Sequence, residues 1–305
     1  MTLHDVHVVV LNWNGYGETE ACVAGVMDVA PDVRIHIVDN GSDGDEAGRL
    51  ARRFPDARIE SVGFNAGFAG GVNRGIDAAL AEGARFVFLL NNDARIDAGT
   101  LPALLDAARR RPDVGVFGPR IWRDRGAGVL WCCGVAFGFG PNLGRLRGFD
   151  RRGDGLFLEE DAPDSLTGCG LLVRREVFDR IGTLDEAYFV YLEDADFCLR
   201  AREAGFGLLY VPGASMEHPG GWSTGGGYSP GRKYLTAHGA VRFLKRHGTW
   251  SLWASWVVFD VVLWPLLFLS AGVRGRGRAA WAKARGTLDG LLGRPPKPPA
   301  LKPRA

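Results

Sequence analysis

The sequence predicts an α/β fold with a mostly parallel central sheet, and three observations carry the prediction. Short apolar runs recur through the first half, helix-length segments separate them, and three of the runs end in Asn or Asp. Strands and helices alternating at this spacing build parallel sheets, and ligands of such sheets bind beyond the carboxyl ends of the strands.

The first run, VHVVVLNW at residues 6–13, stays apolar until Asn12 and Asn14, as in a strand buried on both faces. VRIHIVDN (33–40) alternates toward Asp39 and Asn40 and stops at Gly41. RFVFLLNND (85–93) repeats the form with Asn91, Asn92 and Asp93, and VGVFGP (114–119) closes the series. Residues 16–29, 45–54, 68–82 and 101–110 supply the intervening helices. Asn and Asp also make turns, and at any one strand end that reading is as good as ligand contact. The repetition over three strands favours a ligand edge.

Past Gly118 the pattern loosens. Residues 126–148, rich in glycine and aromatics, read as irregular strands and a loop. LTGCGLLVRREVF (166–178) reads as a strand entering a short helix, GFGLLYVP (205–212) as a short strand and residues 219–231 as a glycine-rich loop. Residues 234–247 look helical, with Arg242, Lys245 and Arg246 beside Phe243 and Leu244.

With 305 residues, 46% of them hydrophobic and 24% charged, the chain has material for a large buried core. A net charge of +2 gives no sign of nucleic acid as a partner. Five cysteines (Cys22, Cys132, Cys133, Cys169, Cys198), with no CxxC pair, argue against a disulfide scaffold or zinc site and for a reducing compartment. The opening residues MTLHDVHVVVLNW lack the basic and long apolar regions of a secretory signal, so the catalytic part is expected in the cytoplasm.

Residues 250–273, WSLWASWVVFDVVLWPLLFLSAGV, break the soluble pattern, with Asp260 and Pro265 as conspicuous interruptions. A bilayer span needs about 20 apolar residues, whereas a mid-span Asp opposes insertion by roughly 3 kcal/mol. Trp250, Trp253, Trp256 and Trp264 suit headgroup level, and the Arg-, Lys- and Pro-rich tail after residue 273 suits anionic lipid. An in-plane or re-entrant membrane element, a true span, and a helix buried in an oligomer all stay open, the first favoured.

The densest chemistry is in YLEDADFCLR (191–200), where Glu193, Asp194 and Asp196 crowd together. Acids at a helix start gain about 0.3–1 kcal/mol from the dipole, which accounts well for Asp196, paired i,i+4 with Arg200 on what reads as a solvated face. Asp194 instead shares its face with Phe197, Cys198 and Ala201. A carboxylate there must be desolvated or open onto a cavity, and a raised pKa suits a general base. NND (91–93), leaving a strand, offers oxygen ligands to a hard divalent cation, although an Asx turn looks the same. His218, in MEHPGGWS, is either a nitrogen ligand or incidental. The glycine-rich stretch 63–75 is no dinucleotide fingerprint, and no Walker A motif occurs, which disfavours a nicotinamide oxidoreductase.

Taken in order, VVVLNWNG, IHIVDNGS, GFNAGFAGGVNRGI, FVFLLNNDARID, the long segment from LTGCGLLV to REAGF, and EHPGGWS cover residues 8–223. Together they resemble family 2 inverting glycosyltransferases with the GT-A (nucleotide-diphospho-sugar transferase) fold, in particular the rhamnosyltransferase-like branch. The resemblance implies that Asn12 and Asp39 hold the nucleobase and ribose, with Asn65 and Asn73 shaping that pocket. It puts Asn91, with Asn92, near the ribose or diphosphate, and Asp93 and His218 on a divalent cation (Mg²⁺ or Mn²⁺). Asp194 would be the catalytic base and Glu193 an acceptor contact. One departure is Asn91, which stands where the family pattern has the first Asp of DxD and should weaken the metal's hold. The implied organisation is a catalytic domain over 1–231, with a nucleotide-sugar half (1–118) and an acceptor half (119–231). C-terminal helices (232–273) and a basic, Pro-rich tail (274–305) follow.

The implied reaction moves a sugar, such as L-rhamnose from dTDP-rhamnose, to a lipid-linked or cell-envelope glycan at the inner face of the cell membrane. The same chemistry with a UDP-hexose donor, and a silent nucleotide-sugar- or glycan-binding subunit, are the competing readings; self-association is left open. Asp194, Asp93 and His218 speak against silence, since a binder has no need of a base.

Overall fold

A computed structural model of the chain describes residues 1–219 and 228–297. Its elements run β1 (Val6–Asn12), α1 (Tyr16–Val29), β2 (Arg34–Asp39), α2 (Glu46–Arg53), β3 (Arg58–Ser61), α3 (Gly67–Ala81), β4 (Phe86–Asn91), β5 (Arg95–Ile96), α4 (Thr100–Arg110), β6 (Val114–Asp124) and β7 (Val129–Cys132). There follow β8 (Val135–Phe137), β9 (Gly144–Leu146), β10 (Gly170–Arg174), α5 (Arg175–Ile181), α6 (Glu193–Glu203), β11 (Gly207–Glu217), α7 (Pro230–His247), α8 (Trp250–Trp256), α9 (Trp264–Val273) and α10 (Gly277–Leu291).

Strands order β3-β2-β1-β4-β10-β6-β11-β5 in one nine-stranded sheet, with β7 paired to β6. The first four are mutually parallel, as alternating β and α units require. β10 then enters antiparallel between β4 and β6, with Leu172 opposite both Phe88 and Phe117. Strand side chains alternate between faces, so consecutive residues feed two cores. Val8, Val10, Phe88 and Leu90 join α1 and α4 on one face, while Val9, Val87 and Leu89 join α3, α5 and α6 on the other. This three-layer arrangement explains why β1 and β4 read as continuous apolar runs. Phe88→Ala would cost about 3–5 kcal/mol, since the ring is fully buried.

The expected elements are present, with differences that have physical causes. β3 (RIES) was not expected, because its four residues are mostly polar on a sheet edge. β11 runs five residues beyond the expected stop at Pro212, through a register shift between Val211 and Ser215. Helix α7 begins at Pro230, so the expected boundary at 231/232 falls inside it. Half of the basic tail is helix α10, which packs on α7 through glycine: a Cβ on Gly286 would lie 2.2 Å from the Tyr234 carbonyl oxygen. A contact face made of Gly and Ala leaves no apolar periodicity to read.

A third core joins Tyr188, Ala195, Val241, Phe243, Leu252 and Trp256, fixing α7 and α8 to the back of α6. Among the described residues no single helix is long and apolar enough to cross a membrane. The pair Trp250–Val262 and Trp264–Val273, bent by 45°, reaches that length together. The bend follows a wide π-type turn, Val257–Val262, and Pro265 starts the second arm. Asp260 in that turn is neutralised by Lys283 of α10. Val262, Leu266, Leu269 and Val273 remain largely exposed.

Candidate active site

A cleft of about 380 Å³ opens at the carboxyl ends of β1 and β4 and is walled by the start of α6 and the end of β11. Asn65, Asn91, Asn92, Asp93, Glu193, Asp194 and His218 all line it, so residues spread over most of the chain meet in one place.

Three expected contacts do not reach the cleft. Asn12 is fully buried; its amide donates to Asp39 Oδ1 (2.9 Å) and Glu46 Oε2 (2.8 Å), and its carbonyl accepts from Thr19 (2.7 Å). Asp39 is equally committed, its second oxygen accepting from the Ser42 N–H at 3.3 Å. Asn73 faces across α3 to Leu184, donating to its carbonyl (2.9 Å) and accepting from its N–H (3.0 Å). In this arrangement all three brace the strand ends and the loop before α6, because a buried amide or carboxylate must find partners. The residues at the opening are their neighbours, Trp13 and Asn40. Asn40 donates to Gly67 O (3.0 Å) and accepts from Ala66 N (3.0 Å), holding the turn that carries Asn65.

That turn closes on the loop before α6. Gly67, at φ +79°, lies so near that a Cβ would sit 2.5 Å from Phe189 O. The loop is itself contorted: Phe189, Tyr191 and Leu192 all have left-handed φ (65°, 75° and 72°). For non-glycine residues each such conformation costs about 1–3 kcal/mol, and clustering of this kind marks functional sites. Its effect is to start α6 abruptly, turning Glu193 and Asp194 into the cleft while Phe197, Cys198 and Ala201 enter the core.

The two acids are not equivalent. Asp194 Oδ2 accepts from Gly168 N (2.9 Å) and Oδ1 from Ala195 N (2.8 Å). Glu193 is buried, and its Oε2 has no partner among the described residues. Burial pushes both carboxyls up; the N–H donors restrain Asp194, whereas Glu193 also feels the Asp194 charge and rises well above the usual range. The two carboxyls thus sit in different surroundings, Asp194 held by backbone N–H groups and Glu193 burdened by burial and by its neighbour's charge.

Across the cleft, His218 Nε2 lies 3.0 Å from Asp93 Oδ1 and 3.3 Å from Asn91 Nδ2. β11 brings the histidine there, its N–H bonded to Trp122 O at 2.7 Å, and the Trp131 ring meets it edge-on at 4.6 Å. Asn92, also on the cleft wall, spends its amide on Thr19, donating to it at 2.9 Å. A nitrogen and a carboxylate oxygen converging in one cleft suit a divalent cation. The other imidazole nitrogen, buried without a partner among the described residues, is free to bond a group that would orient the ring. The one grouping of three ligand side chains among the described residues, His7, His36 and Glu82, lies off the cleft. There His7 bonds His36 at 2.8 Å and Glu82 is held by Arg58 at 2.7 Å.

Sequence reasoning missed Gly168, whose N–H fixes Asp194, and Arg232, which lines the cleft from the first turn of α7. Neither carries a local signal. Gly168 sits in an ordinary loop, and Arg232 falls between the glycine-rich stretch 219–231 and the expected helix 234–247.

Comparison with known proteins agrees with this geometry. Residues 7–182 match the family described as glycosyl transferase family 2. An N-acetylglucosaminyl-diphospho-decaprenol L-rhamnosyltransferase of Mycobacterium tuberculosis is 33% identical over 240 residues, covering 72% of this chain and 76% of its own. A mannosyltransferase from Pyrobaculum calidifontis, solved with GDP-Man and Mn²⁺, shares the fold at TM-score 0.55 and 16% identity, covering 95% of this chain and 87% of that one. GalNAc-T7, solved with UDP, GalNAc and Mn²⁺, does so at TM-score 0.54 and 13% identity, over 70% of this chain and 42% of its own. Sequence and architecture thus converge: the chain belongs to glycosyl transferase family 2 and is a nucleotide-sugar glycosyltransferase of GT-A fold.

Proposed function

We propose that this enzyme transfers a sugar, with inversion, from a nucleotide-diphosphate donor to a hydroxyl of a lipid-linked or envelope glycan, and that Asp194 is its general base. The observation that carries the reading is the acid pair: Asp194, fixed by two N–H donors beside the buried Glu193, shares one cleft with Asp93 and His218.

The acceptor hydroxyl gives its proton to Asp194 as its oxygen bonds the anomeric carbon, and the bond from that carbon to the diphosphate breaks. One displacement inverts the centre. A positioned base contributes about 10²- to 10⁴-fold to such a step. Glu193 contacts the acceptor beside Asp194 and orients it. Asp93 and His218 would hold a divalent cation, which when bound neutralises charge on the leaving diphosphate. Asn91 adds only a neutral amide, so that cation binds chiefly together with the nucleotide. The donor edge is residues 1–118 and the acceptor side 119–231. Asn12 and Asp39 serve the nucleotide from beneath, by holding the strand ends that present Trp13 and Asn40.

L-rhamnose is the favoured sugar and a diphosphate-linked lipid sugar the favoured acceptor, since the M. tuberculosis relative's name describes that pairing, and dTDP-rhamnose is the donor that the family resemblance implies. The exposed apolar arms of α8 and α9 agree with work at the inner face of the membrane. The test is a thermal-shift screen of dTDP-rhamnose, UDP-glucose, UDP-galactose and GDP-mannose, each with and without Mn²⁺. A ligand at 100 times its Kd stabilises by about 2.7 kcal/mol. A shift for dTDP-rhamnose that grows with Mn²⁺ is expected. A larger shift for a UDP-sugar would reassign the donor, and none for any sugar would overturn the reading.

A further inference from the structure

The cleft is joined to the uncovered apolar arm of the C-terminal helices by a cluster of positive charge. Arg232, on the cleft wall, lies over the Tyr191 ring at 5.7 Å, and no ion pair to a carboxylate engages it among the described residues. Its neighbour Lys233 lies 4.2 Å from the centre of the Tyr228 ring, and Arg276 lies over the same ring at 5.2 Å. Lys283 is close enough to matter electrically: burial first, then the Lys283 and Arg232 charges, pull the Lys233 pKa down. Among the described residues, Asp260 is the acid that raises the Lys233 pKa, and Lys283 already pairs with it.

A surplus of cations around one tyrosine is unfavourable by itself, since like charges repel and the first turn of a helix disfavours cations. It is relieved by an anion with several oxygens. The neighbourhood says which. On the inner side the cluster reaches the cavity holding Asp194; on the outer side Arg276 stands three residues past the end of α9, whose Leu266, Leu269 and Val273 are largely exposed. A ligand filling all three zones has a sugar, then a phosphate group, then a long apolar chain.

We propose that Arg232, Lys233 and Arg276 bind the phosphate group of a lipid-linked sugar acceptor, whose apolar chain follows α9 and whose sugar hydroxyl reaches Asp194. This assignment rests on the glycosyl-transfer reading above. It makes the C-terminal helices part of acceptor recognition: the cations set the distance between the lipid surface and the base, which selects a sugar directly attached to the phosphate.

Binding tests it without turnover. The full chain is titrated with neutral phosphatidylcholine vesicles carrying farnesyl diphosphate, with vesicles of equal charge made from phosphatidylglycerol, and with inorganic pyrophosphate in solution. Farnesyl diphosphate vesicles are expected to bind about tenfold more tightly than phosphatidylglycerol vesicles, and Arg232→Gln, Lys233→Gln and Arg276→Gln each to lose about tenfold, one charge-assisted contact apiece. Arg232→Lys keeps the charge and should recover part of the loss, separating recognition from misfolding. Equal binding to both vesicle types would reduce the cluster to general lipid attraction, and pyrophosphate matching the vesicles would make it a free-phosphate site. Unchanged affinity in all three Gln variants would overturn the assignment, as would loss of nucleotide-sugar thermal shifts in those variants, which would place them on the donor side. Failure of the donor screen would instead strike the glycosyl-transfer reading and leave the vesicle result standing.

Discussion

Asp194 and Asp196 stand two residues apart on α6, one turned to the cleft and the other to α7. Asp194 meets only backbone N–H groups, from Gly168 and Ala195. Asp196 is fully buried and surrounded by cationic or polar side chains: Arg200 Nε at 2.7 Å, His247 Nε2 at 2.9 Å, Tyr188 Oη at 3.5 Å and Arg246 at 3.6 Å. Burial raises the first carboxyl. On the second, burial is the largest single influence, yet the His247 and Arg200 hydrogen bonds and charges outweigh it and hold the pKa below the usual value. Two identical groups are thereby given different work. Cations make a carboxylate fixed and non-basic, whereas dipoles alone keep it in place and still able to accept a proton.

The largest effect should come from the cleft side. Asp194→Asn is expected to lower kcat by about 10²- to 10⁴-fold while leaving the nucleotide-sugar thermal shift within experimental scatter. Near-normal turnover would erase the distinction between the two acids. On the other side, Asp196→Asn should cost about 3–5 kcal/mol in a denaturant melt, because Arg200 would be left buried without its partner. A loss under 1 kcal/mol would show that the network contributes little net stability.

pH separates the pair further. Asp194 is active ionised and its pKa is raised, so activity falls on acidification at a pH above the ordinary carboxylate range, near 4. Asp196 has a depressed folded pKa, so its contribution is complete above the unfolded value and disappears as pH falls through the lower folded one. The wild-type minus Asp196→Asn stability difference should therefore persist at pH values where kcat/KM has already dropped. Coincident limbs would contradict the assignment. Smallest of all, Glu193→Gln should change kcat only about threefold, since an amide can still donate a hydrogen bond to the acceptor in the orienting role proposed for Glu193. A loss as large as that of Asp194→Asn would make Glu193 the base.

Part of this contrast could be read in advance. Helical spacing separated Asp194 from Asp196 and paired the latter with Arg200, and both hold in the structure. The solvated face assigned to Asp196 does not: it is buried under α7, and its strongest new partner, His247, lies 51 residues later. Nothing in a local window announces such a contact. Strand ends were legible because apolar runs stop abruptly at Asn and Asp. Which polar residue faces the cleft was not, because neighbouring strand residues point to opposite sides, so Asp39 turned in while Asn40 turned to the opening. Helix α10 hid in a basic tail because its buried face is made of glycine and alanine. Arg232 gained its place only through the third dimension.

The antiparallel insertion of β10 between β4 and β6 also has a kinetic consequence. During synthesis the first four parallel strands can assemble, but the inner edge of β4 has no partner until Leu171 and Leu172 have emerged to face Leu89 and Phe88. Strand pairing across so much intervening chain is slow, and an apolar edge left waiting is prone to association. The same late strand carries at its entrance Gly168, whose N–H holds the candidate base. Completion of the sheet and placement of the candidate base are therefore one folding event, and a nascent chain that stalls before residue 174 has the parallel strands without the carboxylate they are to face.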